Sequence, residues 1–490
     1  MSQLIKVPKM EIVQRYRLLG GLAVSFFAGG CALTPAPEAP DLVRDLGASE
    51  HFAQSDLTAA GLPETEDWWL ALGGAELDGL VSTLLVDSLI LQESRLQAVQ
   101  AQEGTVLARA QRLPSIVAIG DASTSRSPDL LGDFSWSEAY SAGLLLDFNT
   151  DVFGGLRASQ RAAELTAIAT ELSVEATEQR EIALLARNWV SAITLQRRLE
   201  LAERTAESFR STYELTDQRY SAGSSSVSAS DVQIALQNLE TALVDIPQIE
   251  TDLTKQFLVI DEQLGRLPGE TAQTFVGSFA PFEAFTAPVG RPARLLASRP
   301  DVAAAELRYL AALEDVGSAR ASLYPAISLS TSLTFQGDTP GDVFDWDRHI
   351  ASLAGSLTAP IFQGGRLKSQ VRLEEAQATE LATIFARTAL GAVIDVELAL
   401  ADLAGLEEQR IQLEAALETA ALSNELAQGR YRQGLNSILS VLETQRSLNA
   451  AEQNLLLIDQ SLANARIDLF LSLGGNWSGE DAVSGVAETS

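Results

Sequence analysis

Few side chains in this sequence could carry out covalent or metal chemistry. The 490 residues include two histidines, His51 and His349, and one cysteine, Cys31. The histidines lie far apart in the sequence, and neither a Cys/His spacing typical of a metal site nor a GxSxG nucleophile motif is present. We therefore expect no catalytic residues, no metal and no cofactor, and we predict that the protein is not an enzyme.

Two glycine pairs, Gly154-Gly155 and Gly364-Gly365, superficially resemble phosphate-binding loops. Neither pair is followed directly by the Lys-Ser/Thr that phosphate binding requires. Because glycine adopts positive φ values without a steric penalty, both pairs are more typical of turns. The net charge of -30 would also repel phosphate groups, so we expect no nucleic acid as a partner.

The first thirty residues have the pattern of a secretory signal peptide. Four basic residues between positions 6 and 17 precede an apolar run of 13 residues, 18–30. This run is too short to cross a bilayer and has the length of a signal-peptide core. We therefore predict that residues 1–30 direct export of the chain.

The cysteine follows this apolar run directly. Cys31 comes after Gly29 and Gly30, as in a bacterial lipobox, although Ala28 stands where such sequences usually carry leucine. A free thiol would be a liability in an oxidising compartment, which favours lipidation of Cys31. The alternative is ordinary cleavage near Ala32 with an incidental cysteine. The proline-rich stretch that follows is typical of an extended tether.

The sequence contains an internal duplication. The stretch ARAQRLPSI, which begins at Ala108, matches ARASLYPAI at Ala319, an offset of 211 positions. The same offset relates RYSAG at Arg219 to RYRQG at Arg430. We therefore predict two repeats of one architecture.

Each repeat contains a very long run without proline. The runs extend from Gly155 to Gly223 and from Gly365 to Gly434, 68 and 69 positions apart. At 1.5 Å per residue, each predicts a helix roughly 100 Å long. A shorter helical run returns after each RYxxG turn, and a short helix before each strand pair, at 88–113 and 301–324, has the length needed to stack end to end on the returning run.

The first long run carries an apolar stripe with alternating spacings of four and three, which predicts packing against another helix. The stripe consists of Leu195, Leu199, Ala202, Ala206, Phe209, Tyr213, Thr216 and Tyr220. The stripe shifted by 211 positions is mostly apolar and is interrupted at Arg410 and Asn424.

Between the short helix and the long run, each repeat has two segments that alternate with a period of two. They are clearest at Ala326–Phe335 and at 350–359, while 115–123 is blurred and its partner after Phe134 is marked by one apolar face. Segments of about 9–11 residues can span a bilayer as tilted strands. The small polar residues Ser328, Ser330, Ser332 and Thr334 suit a wet interior.

Four strands per chain cannot close a barrel, and in lipid an unpaired strand edge costs several kcal/mol for each unsatisfied group. Eight strands would be filled by their own side chains, whereas twelve leave a lumen. We therefore predict a homotrimer with a shared twelve-strand transmembrane β-barrel on long helical hairpins, a mixed, mainly α fold. A small soluble sheet is the alternative.

With these features, the chain resembles the TolC-type outer-membrane efflux factors, in particular the lipoprotein branch that serves drug-exporting RND-type pumps. The resemblance covers nearly everything after Cys31. The motifs that carry it are DWWLALGGAELDGLV from Asp67, RPDVAAAE from Arg299, the pair LPSI and YPAI, PIFQGGRL from Pro360, and both RYxxG turns.

The resemblance implies a passive trimeric conduit. Its barrel would lie in the outer membrane of a Gram-negative bacterium, in contact with lipid, and its helical tunnel would lie in the periplasm. A pump in the inner membrane and a periplasmic adaptor would deliver small molecules for export. The outlet of a type I protein-secretion system and a secreted helical scaffold or adhesin are the alternatives.

The resemblance also implies a periplasmic tip that contacts the adaptor. The residues at this tip would be Arg219, Tyr220, Gly223, Arg430, Tyr431 and Gly434. Related proteins close the tip with acidic rings, for which Asp231 and Glu443 are candidates. Asn436 is the third candidate, at a position where related chains often carry aspartate.

The predicted organisation has six segments. They are the signal peptide 1–30, a lipid-anchored tether with an equatorial segment 31–86, the first repeat 87–265, an equatorial linker 266–298, the second repeat 299–474, and a C-terminal tail 475–490.

Overall fold

The computed structural model describes residues 33–36, 38, 40–48, 67–128, 134–277 and 299–474. The predicted signal peptide, Cys31, most of the linker after residue 277 and the tail lie outside the described residues. The chain is mainly helical, with one four-stranded sheet. Its main elements in chain order are α1 Asp41–Ala48, α2 Trp68–Asp87, α3 Leu89–Ala110, β1 Ser115–Pro128, β2 Phe134–Thr150, α4 Gly155–Ser221, α5 Ala229–Gln263, α6 Glu270–Thr274, α7 Pro300–Ala321, β3 Ala326–Gly337, β4 His349–Thr358, α8 Arg366–Arg432 and α9 Ile438–Ser472.

The two repeats have the same helices. The short helices α3 and α7 have 22 residues each, the long helices α4 and α8 have 67, and the returning helices α5 and α9 have 35. The predicted duplication is thereby confirmed. Equivalent residues of the two repeats are 211 positions apart at the starts of the short helices (300 minus 89) and of the long helices (366 minus 155). At the starts of the returning helices they are 209 positions apart (438 minus 229), because the turn before α9 is two residues shorter than the turn before α5.

The glycine pairs begin the long helices, as predicted. Gly154 and Gly365, directly before the first helical residues, have φ values of 76° and 86°, a region that favours glycine. At the first pair, the Asp151 carboxylate accepts hydrogen bonds from the main-chain N–H groups of Leu156 and Arg157, at 2.9 and 2.7 Å. These bonds satisfy donors that have no partner inside the helix.

The short helices stack end to end on the returning helices, which confirms the prediction from run lengths. In the first repeat, Gly265 at the end of α5 lies so close to the carbonyl oxygen of Asp87 that an added Cβ would be 2.7 Å from it. In the second repeat, Arg299 at the start of α7 donates a hydrogen bond to the carbonyl oxygen of Ser472 at the end of α9, at 3.2 Å. Each long helix is therefore flanked along its length by two shorter helices.

Arg299 anchors the second junction through charge as well. Its guanidinium group lies 2.7 Å from Asp301 and 3.1 Å from Asp395 on α8. Partial burial acts to raise the pKa of Asp301, but the hydrogen bond and the positive charge of Arg299 outweigh it and hold this pKa below its usual value. The ion pair with Asp395 ties the start of α7 to α8, and the hydrogen bond to Ser472 ties it to α9.

The four strands form one antiparallel sheet in the order β1-β2-β3-β4. The register pairs Leu144 with Leu333 and Thr331 with Leu353, so the apolar residues of neighbouring strands share one face. Strands β1 and β2 have 14 and 17 residues, longer than the alternating pattern predicts.

On β3 and β4, the opposite face of the sheet carries mostly small hydroxyl side chains. Ser328 lies opposite Ser356, and Ser332 lies opposite Ser352, with 2.6 Å between the hydroxyl oxygens in both pairs. The predicted polar face is therefore confirmed for β3, whereas the same face also includes Leu145 of β2 and Val117 of β1. Within the described chain, β1 and β4 each have one edge without a neighbouring strand.

A large core lies at the junction of α2 with the middle of α4. Trp189 of α4 is fully buried there, next to Leu77 and Leu84 of α2. Among the described helices, α2 alone has the length and hydropathy of a membrane span, but it packs on this core and is interrupted at Gly74, where φ is 55°. Its apolar character is thus used in packing against the long helix.

The described N-terminal segment runs along α7. The Leu33 carbonyl oxygen accepts a hydrogen bond from Arg320 at 3.2 Å, and the Glu38 carbonyl oxygen accepts one from the Tyr309 hydroxyl group at 3.2 Å. Further along, Val43 of α1 packs on the cluster that includes Tyr309. This segment therefore begins near the end of α7, six positions before β3 starts at Ala326.

The two faces of the sheet predict opposite responses to charge. We expect Leu333→Arg, near the middle of β3, to reduce the amount of protein assembled in the membrane, because an arginine on a lipid-facing site costs about 2–4 kcal/mol. The neighbouring substitution Ser332→Arg, on the polar face, is the matched control and should assemble normally. Equal loss for both variants, measured in outer-membrane fractions, would contradict this assignment of the faces.

Candidate functional site at the helix ends

The two RYxxG motifs form the same helix-ending turn, a Schellman motif. In the first, the N–H of Gly223 donates to the carbonyl oxygen of Tyr220 at 2.9 Å, and the N–H of Ser224 donates to that of Arg219 at 3.0 Å. The second turn repeats both bonds, from Gly434 and Leu435, at 2.9 Å each. This motif explains the spacing, since glycine must occupy the position with positive φ, here 78° and 74°.

Arg219 joins the ends of the two long helices. Its guanidinium group donates hydrogen bonds to the carbonyl oxygens of Tyr431 and Arg432, both at 2.7 Å, and lies 4.7 Å from the centre of the Tyr431 ring. The last carbonyl groups of a helix have no partner within the helix and carry partial negative charge. A cation at this position therefore stabilises the end of α8.

A row of polar contacts continues between the helices below this cap. The Tyr431 hydroxyl group, on a side chain that is only 4% exposed, lies 3.1 Å from the Thr216 hydroxyl group. One turn further, the side-chain amide of Gln445 donates to the hydroxyl oxygens of Ser208 and Thr212, both at 2.9 Å. These contacts align α4 with α9 and fix the relative positions of the two hairpins.

The apolar stripe predicted on α4 is buried at its centre. Ala202, Ala206, Phe209 and Thr216 are buried, whereas Tyr220 at the end is 45% exposed. Arg410, the charged interruption of the second stripe, forms an ion pair with Asp459 of α9 at 2.8 Å. The interruption therefore carries a contact between helices instead of breaking their packing.

The six predicted tip residues thus lie together at one end of the described helices, but they divide into two groups. Arg219 and Tyr431 are engaged with each other inside the chain. Their duplicates, Arg430 and Tyr220, are exposed, and their side chains form no hydrogen bond, ion pair or ring contact with another described residue. The sequence contained no signal for this division, since both motifs read RYxxG.

The three constriction candidates all lie at the start of the returning helices. The Asp231 carboxylate accepts hydrogen bonds from the main-chain N–H and the hydroxyl group of Ser228, both at 2.8 Å, in a capping box that begins α5. Asn436 donates to the Ser440 hydroxyl group at 3.0 Å. Glu443 is paired with Arg446 on its own helix at 2.7 Å and is highly exposed.

A membrane-type sheet joined to paired helices about 100 Å long defines an outer-membrane channel. The family model of the outer membrane efflux proteins matches residues 80–266 and 292–475, more than half of the chain. The chain therefore belongs to the outer membrane efflux protein family and is the outer-membrane channel component of an efflux system.

Similar proteins match almost the whole chain. The pyoverdine export outer membrane protein OpmQ of Pseudomonas aeruginosa is 30% identical, over 94% of this chain and 97% of its own length. The cation efflux system protein CusC of Escherichia coli O6:H1 is 26% identical, over 92% and 98%. The solved structure of the Campylobacter jejuni CmeC outer membrane channel superposes with a TM-score of 0.84, at 20% identity over 92% and 96% of the two chains.

The arginine cap makes a local prediction. We expect Arg219→Met to speed amide hydrogen exchange at positions 433–435 roughly tenfold or more, because hydrogen bonds from a charged group are worth about 1.5–3 kcal/mol. Arg210→Met, which removes only an exposed pair with Glu207, is the control and should leave exchange unchanged. Unaltered exchange at 433–435 in Arg219→Met would show that the cap contributes nothing.

Proposed function

We propose that three copies of this chain form a passive conduit through the outer membrane, within a tripartite system that also contains a periplasmic adaptor and an inner-membrane pump. The open edges of β1 and β4 support the trimer, since backbone groups at a strand edge cannot remain unpaired in lipid. Three four-stranded sheets give twelve strands, enough to leave a lumen. The hydroxyl-lined face would then line the pore.

The cargo of this conduit is proposed to be small molecules. OpmQ is named for pyoverdine export and CusC for cation efflux, two cargoes of unlike chemistry. The serine and threonine side chains of β3 on the face that would line the pore offer neutral hydrogen-bonding groups, which suits transit without selection. Specificity would then lie with the pump. No observation on this chain favours a protein-secretion outlet or a secreted scaffold.

The adaptor is proposed to dock at the ends of the long helices. The two turns at Gly223 and Gly434 present exposed main chain, and an added Cβ at either glycine would meet no other atom, so both surfaces are open. Tyr220 adds an exposed aromatic ring. Arg219 and Tyr431 would act indirectly, by holding the second turn in place.

Closure of the conduit is proposed to occur beside these turns, at Asp231, Asn436 and Glu443. Asp231 and Glu443 lie within the first two turns of α5 and α9 and carry negative charge, and Asn436 lies two residues before α9 begins. In a trimer, each position would be repeated three times around the axis.

The path of the N-terminal segment supports the proposal of a lipid anchor on Cys31. Leu33, only two residues further on, is bound to Arg320 near the start of β3. If the strands span the outer membrane, this contact places Leu33 near the membrane surface at the periplasmic side. A lipid on Cys31 could reach the bilayer there without a long tether.

The docking proposal is tested at the two turn glycines. We expect the double variant Gly223→Val/Gly434→Val to lose export, because a β-branched side chain is strained at positive φ and alters both turns. Export of a dye by cells is the measurement, with trimer abundance in the outer membrane as the reference.

The matched control is Gly429→Val, close to the tip but within α8, where an added Cβ also meets no other atom. This variant should export normally. Wild-type export by the double variant, at normal trimer abundance, would refute docking at the turns.

The lipid anchor is tested by mass spectrometry of the mature protein. We expect the N-terminal peptide to begin at Cys31 and to carry the added mass of acyl chains. Cys31→Ser should abolish this mass while trimers still assemble, because the strands hold the protein in the membrane independently. An unmodified N-terminus at or near Ala32 in the wild type would exclude the anchor.

A further inference from the structure

Of the two equivalent arginines at the tip, Arg219 caps a helix within the chain and Arg430 does not. Arg219 caps α8 within the chain, through the carbonyl oxygens of Tyr431 and Arg432. Shifted by 211 positions, the same contact would run from Arg430 to the carbonyl oxygens of Tyr220 and Ser221. Within the described part of the chain, those two carbonyl oxygens receive no hydrogen bond from an arginine.

The surface beside Arg430 is also uncovered. Leu422 and Leu426 are 57% and 59% exposed, and with Arg430 they lie at i, i+4 and i+8 on one face of α8. The equivalent residues of α4 are Ser211, Leu215 and Arg219. There Leu215 packs on the cluster around Tyr431, so the second hairpin covers this surface of α4. The equivalent surface of α8 has no such cover among the described residues.

The chain order decides which caps can form internally. Helix α4 packs against α9 of the following repeat, through Thr205 and Asn449 at 3.0 Å and through Gln445. Among the described residues, no third repeat follows the second. The equivalent partner for α8 is therefore helix α5 of another copy, with the end of that copy's α4 beside it.

We propose that Arg430 of one copy caps the first long helix of the next copy, by donating hydrogen bonds to the carbonyl oxygens of Tyr220 and Ser221. This inference rests on the trimer proposed above and names the contact that joins its copies at the tip. Leu422 and Leu426 become buried in the same contact. The ring of six long-helix ends is then linked by alternating internal and intermolecular arginine caps.

The two kinds of cap are not equally strong. Inside the chain, the cap is reinforced by the hydroxyl contact between Thr216 and Tyr431. Between copies, the position equivalent to Thr216 is Ala427, which has no hydroxyl group to meet Tyr220. The Arg430 caps can form between copies because their acceptors are main-chain oxygens, but they lack the additional contact between hydroxyl groups. The seams between copies are therefore the weaker ones at the tip.

Cross-linking distinguishes the two kinds of cap. The full-length protein with Ser221→Cys/Arg430→Cys is treated in outer-membrane vesicles with a bismaleimide whose spacer matches an arginine side chain in length. We expect covalent species of two and three chains. The matched pair, Arg219→Cys/Arg432→Cys, should be linked within single chains, and each single-cysteine variant reports any background from Cys31.

Hydrogen exchange provides the second measurement. Arg430→Met should speed exchange at positions 222–224, in the other repeat, roughly tenfold or more, because the lost cap belongs to that helix end. Arg219→Met should instead act at 433–435. This crossed pattern would not arise from a purely local effect of either substitution.

Three outcomes would overturn the inference. One is a trimer, verified by native mass spectrometry, in which the 221/430 pair links only within single chains or not at all. Another is Arg430→Met without any effect at 222–224 in such a trimer. A single chain in native mass spectrometry would defeat both the trimer and this contact, so the mass itself tells which proposal has failed.

Discussion

The rest of the structure depends on the hydrogen-bonding requirement of a strand edge in lipid. The sheet has four strands, and its outer strands β1 and β4 each offer an unpaired row of main-chain groups. Water could satisfy these groups, but hydrocarbon cannot, and each group left alone costs several kcal/mol. The single chain is therefore an incomplete unit in a membrane. The same incompleteness recurs roughly 80 Å further along α8, where the surface beside Leu422 and Leu426 lacks a partner among the described residues.

Much of this fold could be predicted from the sequence, because its determinants are local and periodic. The absence of proline and the heptad spacing of Ala202, Ala206 and Phe209 predict the long helix, and the alternation around Leu329 and Leu333 predicts the strand and its faces. The positive φ of Gly223 follows directly from the RYxxG turn. These features depend on main-chain geometry and on one apolar face, both of which can be read from neighbouring residues.

Other features could not be read in this way, because they depend on which elements meet in space. Arg219 and Arg430 stand in the same motif, yet among the described residues only Arg219 has a partner, since α4 is followed there by a second repeat and α8 is not. Gln445 gave no sequence signal, although it joins α9 to α4. Strands β1 and β2 extend past their alternating cores because pairing with each other, rather than the pattern of each alone, determines their length.

The second turn is two residues shorter than the first, and this small difference breaks the equivalence that duplication would otherwise create. If three copies surround one axis, their hairpin tips alternate between a long and a short loop. A partner protein that contacts all six tips then meets two kinds of contact site, three of each. Such a partner must either repeat with threefold periodicity or contain identical subunits that tolerate two neighbouring shapes.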